Sequence, residues 1–191
     1  MSKIRLGFGL TGSFCTFSQV IKQMEILSEY YDIIPIMSYN AASLDTRFGK
    51  AKDHIDRIEK ITGKKVIRTI EDAEPIGPKN MTDIMLIAPC TGNTLAKLNM
   101  AITDTPITMA TKSHLRNNRP VIIAVSTNDA LSGSAKNIGA LQNTKNYYFV
   151  PYRQDNYEKK PTSIVADFNE IHNTIEYVLE NNKQIQPIIK Q

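Results

Sequence analysis

The chain has 191 residues, with 23 Lys and Arg against 19 Asp and Glu, a formal charge of +4, 41% apolar residues and two cysteines. At roughly 150 residues per domain this is one domain, 1–191, and its globular composition excludes disordered and collagen-like chains. The charge is spread too thinly for nucleic acid, no apolar run approaches the ~20 residues of a membrane span, two thiols build no disulfide framework and the amino-terminus lacks a signal h-region, so a cytoplasmic protein is expected.

Residues 4–10 read as a first strand, with Gly7 and Gly9 on one face. Over 13–31, Phe14, Phe17, Val20, Ile21, Met24, Leu27 and Tyr31 keep the spacing of a helix with one buried face. Residues 33–37 form a second strand, and Pro35, with no N–H to donate, suggests an edge. A helical period runs over 44–61 and stops at Gly63, with Asp53→Arg57 and Asp56→Lys60 pairs along its wet side. Residues 66–68 are a short strand, and 71–80, with Pro75, Gly77 and Pro78, a loop. The apolar runs 84–88 and 121–125 suit strands buried on both faces. Helices are expected over 93–100, 107–117 and 134–144, and a last strand over 147–150. The polar stretch 152–161, between Pro151 and Pro161, is expected to be a mobile loop, followed by a carboxyl-terminal helix over 167–182. This alternation of strand and helix specifies an α/β, Rossmann-like three-layer sandwich with a mainly parallel sheet.

Two loops carry the chemistry. Gly7-Phe8-Gly9-Leu10-Thr11-Gly12 fits G-x-G-x-x-G between a strand and a helix, where unpaired N–H groups, glycine and the hydroxyls of Thr11 and Ser13 suit a phosphate. A tight glycine turn with Ser13 as helix cap is the plainer alternative. A dinucleotide also needs an acid at the end of the second strand. Asp32 instead begins that strand, and Ser38-Tyr39-Asn40 follows it, which favours a mononucleotide or another phosphate-bearing ligand. The second loop, 88–97, ends the strongest strand in small and hydroxyl residues. There Asn93 and Thr94 either cap the next helix or touch a ring or ribityl chain.

Thr11-Gly12-Ser13, the segment Ala88-Pro89-Cys90-Thr91-Gly92-Asn93-Thr94-Leu95-Ala96-Lys97 and Thr103-Asp104 together resemble the FMN-binding flavoprotein family that includes phosphopantothenoylcysteine decarboxylase. The resemblance implies FMN held by Thr11, Gly12, Ser13, Ser38, Pro89, Thr91, Asn93 and Asp104, and self-association into a homo-oligomer. Residues 74–79, 150–155 and 160–166 are similar to the branch of that family serving dipicolinate synthesis in the mother cell of sporulating bacteria. That branch implies a small dicarboxylate substrate, oxidation of a dihydrodipicolinate-type intermediate and, as partner, the dehydrogenase-like subunit of dipicolinate synthase, which binds NAD(P). The family's decarboxylases carry a catalytic histidine eight or nine residues before the aspartate that opens the main strand. Here those positions are Glu74 and Pro75, which argues against decarboxylation. Ser126-Thr127-Asn128-Asp129 also stands where the family reads Pro-x-Met-Asn.

Arg47, with Phe48 beside it to pack on a flat ring, and Lys50 and Arg153 suit a dicarboxylate, and Ser126 and Asn128 follow the buried run 121–125. Arg47 is as readily a solvated charge, Lys50 and Arg153 more readily so, and Ser126 is as readily a turn serine. His54, His114 and His172 read as helix residues without a catalytic part, and no metal-ligand spacing is present. Cys15 and Cys90 both follow strand ends and read as small buried thiols.

Overall fold

The computed structural model describes residues 3–189. Its strands are β1 (Arg5–Leu10), β2 (Asp32–Met37), β3 (Ile84–Cys90), β4 (Val121–Thr127), β5 (Tyr147–Phe149), β6 (Tyr152–Gln154) and β7 (Ile164–Ala166). They form one sheet in the order β2-β1-β3-β4-β7-β6, with β5 also on β4. The ladders joining β2, β1, β3, β4 and β5 are all parallel. The same edge of β4 is used twice. Val121–Ile123 pairs with β5, and Ser126 and Thr127 pair antiparallel with β7, which carries β6 outside it. The β6–β7 hairpin therefore stands beside the carboxyl end of the sheet.

Burial explains the central strands. Every residue of β3 and all but Thr127 of β4 are buried, as continuous apolar runs demand when helices cover both faces. Each large aliphatic or aromatic side chain so buried contributes about 1.5–3 kcal/mol relative to exposure. Pro35 does lie in an edge strand, where Pro35 O accepts from Ile67 N in a single bridge rather than in the expected strand over 66–68. Pro89 also lacks a donor, and the β3–β4 register shifts between Ile87 and Cys90.

The helices are α1 (Phe17–Leu27), α2 (Tyr39–Ser43), α3 (Ala51–Thr62), α4 (Ile70–Ala73), α5 (Gly92–Asn99), α6 (Pro106–Leu115), α7 (Ala135–Gln142) and α8 (Ile171–Asn181). α1 buries Phe17, Val20, Ile21, Met24 and Leu27, the stripe that its spacing predicts. The expected helix over 44–61 is shorter. Thr46 and Gly49 close a tight bridge, Gly49 takes φ +132°, and Asp45 accepts the Ala51 N–H where α3 begins. Gly63 ends α3 in the left-handed region at φ +66°. Its charges pair differently from expectation: Asp56 takes Lys52, and Arg57 reaches Glu25 on α1 at 3.5 Å.

The stretch 71–80 is not an open loop. The Thr69 hydroxyl caps α4 by accepting from Asp72 N, and Glu74–Ile76 continues as a 3-10 turn with Pro75 in its permitted first-turn place. Residues 152–154, at the start of the expected loop, form a strand. Tyr152 N donates to Pro187 O, Ile189 N donates to Tyr152 O, and β7 holds the other side of β6. The Gln184 side-chain amide closes the β5 edge, accepting from Phe149 N at 2.7 Å and donating to Phe149 O at 2.8 Å.

Candidate functional site

In a sheet of order 2-1-3-4-5 the chain reverses its winding between β1 and β3, and the loops at their carboxyl ends part to leave a crevice. Three turns meet there. Thr11 clamps two of them together: its hydroxyl donates to Pro89 O at 2.7 Å and accepts from Thr91 N at 3.0 Å. Ser38, after β2, donates its backbone N–H to Leu10 O and caps α2 by accepting from Ala41 N. Thr91 caps α5 by accepting from Thr94 N, so the caps are not Asn93 or Thr94. Asn93 is left exposed on the first turn of α5, where helix N–H groups carry partial positive charge.

These turns enclose a cavity of about 540 Å³, lined by Thr11, Gly12, Ser38, Thr91, Asn93, Lys97 and Asp104 among others. Lys97 is fixed in its wall, donating to both Asp104 carboxylate oxygens at 2.7 and 2.8 Å. Across Gly12 and Thr91 a second cleft opens, about 810 Å³, walled by α1 on one side and by β6–β7 on the other. Ser13 and Ser126 face it with their hydroxyls 2.8 Å apart, and Asn128 is exposed at its floor.

The loop after β4 is fixed by Asp129. Its carboxylate accepts from Thr127 Oγ1 at 2.6 Å and Ser134 Oγ at 2.8 Å, and these bonds hold its pKa below the usual carboxylate range. The cluster sits against Gly92, where a Cβ would lie 2.5 Å from Ser134 Oγ and 2.7 Å from Asp129 Oδ1. Only glycine lets this loop approach α5 so closely.

A family model described as Flavoprotein matches residues 1–182. The chain belongs to the flavoprotein family. Within it, the chain is 46% identical over 186 residues to the B subunit of dipicolinate synthase of Bacillus subtilis (strain 168), covering 97% of this chain and 92% of that protein. It is similar to the crystal structure of the corresponding dipicolinate synthase polypeptide from Bacillus halodurans, with a TM-score of 0.89, 42% identity and full coverage of both chains. Burkholderia xenovorans DmrB in complex with FMN shares the fold, with a TM-score of 0.69, 18% identity and coverage of 95% and 98%.

Of the residues expected at a flavin, Thr11, Gly12, Ser13, Ser38, Thr91, Asn93 and Asp104 line the two cavities, and of those expected at substrate Ser126 and Asn128 line the larger. Thr11 is buried and its hydroxyl is spent on the loop clamp, while Pro89 lines neither cavity and serves as that clamp's acceptor. Arg47 and Phe48 also line neither cavity. They stack on each other at 4.8 Å in the exposed turn before α3.

Gly7 and Gly9 are not part of a phosphate turn. They lie inside β1, where a Cβ would meet Thr82 at 3.0 Å and Ile107 at 2.9 Å, so they serve packing of the sheet against its helices. Sequence reasoning missed Lys22, Gln19, Gln23 and Lys160 in the larger cleft. The signal for the first three was present as the i, i+3, i+4 polar stripe of α1.

His114 is buried, with Nε2 against Pro120 O and Nδ1 against Thr82 Oγ1. Since a carbonyl only accepts, Nε2 carries the proton and Nδ1 accepts the threonine hydroxyl. Desolvation lowers its pKa to about 4. Cys90 is buried in the core, which pushes its thiol pKa up, whereas Cys15, expected to be buried, is exposed in the larger cleft. Among the described residues no three His, Cys, Asp or Glu side chains gather to hold a metal ion, and no helix is long and apolar enough to cross a membrane.

Proposed function

We propose that this flavoprotein binds FMN in the smaller cavity and is the flavin-bearing component of a dipicolinate synthase, in which a dihydrodipicolinate-type intermediate is oxidised to dipicolinic acid. The observation that carries the reading is the meeting of the turns after β1, β2 and β3 around a cavity of about 540 Å³, a size within the range of cofactor sites. The residues present suit the group. Ser38 and Thr91 offer hydroxyls for phosphate and ribityl oxygens, the first turn of α5 offers N–H donors, and Asn93 offers an amide for a ring edge, while the Ser13 hydroxyl faces the larger cleft. Lys97, oriented by Asp104, places a cation in the same wall.

When bound, FMN supplies an acceptor for a hydride, and the protein supplies orientation and electrostatics. Thr11 keeps the first and third turns at fixed separation through its bonds to Pro89 and Thr91. Asp129 keeps the β4 turn against α5, so that Ser126 and Asn128 face the larger cleft, where the dicarboxylate substrate is bound. The Bacillus subtilis relative is named as one subunit of a synthase, which supports a second, dehydrogenase-like subunit of dipicolinate synthase as partner. To that partner we assign NAD(P), with the chain itself a homo-oligomer in the mother-cell cytoplasm.

A second reading, a non-catalytic component that completes the active site of the dehydrogenase-like partner, is favoured by the absence of any histidine lining either cavity among the described residues. The same observation weighs against a decarboxylase, as does Glu74-Pro75, which forms a 3-10 turn outside both cavities. The visible spectrum of the purified protein discriminates. Flavin absorbance, or one equivalent of FMN bound in calorimetry, supports the first reading. Colourless protein with no FMN heat supports the second.

A further inference from the structure

The larger cleft has a feature that the flavin reading does not use. On α1, Gln19, Lys22 and Gln23 recur at helical spacing on the face that looks across the cleft. Lys22 takes part in none of the ion pairs found among the described residues. On the opposite wall, β6 presents Arg153, whose guanidinium lies 4.0 Å from Asp167, an ion pair too long to be a hydrogen bond. Asp167 already accepts from Asn169 N at 3.1 Å as the cap of a 3-10 turn, so it orients Arg153 while leaving its donors unspent. The third cation of the cleft, Lys160, is different: Asp155 neutralises it at 2.8 Å within the hairpin. Two cations with free donors thus line one cleft from two separate elements, α1 and β6, and Ser13, Ser126 and Asn128 line the same cleft.

We propose that Lys22 and Arg153 form a two-point clamp for a small dicarboxylate, one carboxylate on each cation, with its ring against the Ser13–Ser126 hydroxyls. The proposal rests on the dicarboxylate reading above and adds the residues that select a dianion over a monoanion. Arg153 offers a planar fork and Lys22 a point charge, so a rigid ligand with carboxylates on opposite sides engages both, and a ligand with one carboxylate engages one. The wall that carries Arg153 is fixed on both sides, by β7 and by the 187–189 segment, so the fork is held in place before the ligand arrives.

The test is calorimetry on the full chain in metal-free buffer, with pyridine-2,6-dicarboxylate, pyridine-2-carboxylate and inorganic phosphate as separate probes. Wild type is expected to bind the dicarboxylate one to one. Lys22→Gln and Arg153→Gln are each expected to weaken it about tenfold, to the affinity of the monocarboxylate. Both side chains are exposed, so neither change threatens folding. FMN affinity is expected to be unchanged in both variants. Dicarboxylate binding that is absent in wild type, or equal in wild type and both variants, overturns the clamp. Phosphate binding as tightly as the dicarboxylate, with the same sensitivity to both substitutions, overturns its assignment to a dicarboxylate. If FMN does not bind while the dicarboxylate responds to both cations, the flavin reading falls and the clamp stands.

Discussion

The two ends of the sheet use polar residues in opposite ways. At the amino end Arg5, Asp83, Arg119, Thr82 and His114 consume one another. Arg5 donates to Asp83 through N at 2.9 Å, Nε at 3.0 Å and Nη2 at 2.6 Å, Arg119 approaches the same carboxylate at 3.2 Å, and Thr82 and Pro120 take both nitrogens of His114. At the carboxyl end the internal bonds, those of Thr11, Asp129 and Lys97, hold the turns. Ser38, Asn93, Asn128, Lys22 and Arg153 keep capacity facing a cavity. Saturated polar groups stabilise a fold, and unsaturated ones held by a saturated frame make a site. Residue type alone does not distinguish the two ends, since both carry Asp, Thr and basic residues.

Substitutions can break that contrast, beginning with the largest effect. Near the amino end, a Cβ on Gly77 would lie 2.0 Å from Ser113 O, so Gly77→Ala is expected to cost about 3 kcal/mol or more in urea unfolding. Acid acts on the same end. The folded-state pKa of His114, about 4, lies below the usual ~6.5, so between these values the unfolded chain binds a proton that the folded chain does not. Stability is therefore lost as pH falls from about 6.5 towards 4, by on the order of 3 kcal/mol, and His114→Gln is expected to flatten that slope. Asp83→Ala removes the carboxylate that both arginines share, and is expected to cost about 2 kcal/mol with no change in FMN affinity.

At the carboxyl end Gly92→Ala forces the Asp129 cluster away from α5. The expected cost is about 1–2 kcal/mol, and FMN affinity measured by fluorescence quenching is expected to fall with it. The smallest effect on stability and the sharpest on binding belongs to Asn93→Asp. The side chain is exposed, so unfolding is expected to shift by no more than about 0.5 kcal/mol. The carboxylate loses the amide donor that faces the ring edge, so FMN affinity is expected to drop about tenfold.

The sequence carried the sheet and the placement of the loops because both follow from burial. The runs 84–88 and 121–125 are too short and too apolar for anything but central strands, and the turns after them must fall at one edge. It misplaced what depends on tertiary pairing. Tyr152-Arg153-Gln154 has no strand pattern of its own, and becomes one because β7 and the 187–189 segment satisfy it from both sides. Residues 44–50 keep a helical period but are claimed by the Thr46–Gly49 bridge and the Asp45 cap. In the site, Ser38, Asn93 and Asp104 were legible as polar residues just past strand ends or in the family's second loop. Lys22 was hidden inside a helix whose apolar stripe is the stronger pattern, and of the two roles open to Arg47 its place in an exposed turn, stacked on Phe48 outside both cavities, favours the solvated charge.

The most direct test of the central claim is a crystal structure of the protein soaked or grown with FMN. The FMN phosphate is expected between the Gly12–Ser13 turn and Ser38, with Asn93 against the isoalloxazine. FMN lodged elsewhere on the surface, or electron density without flavin at saturating concentration, would contradict that claim.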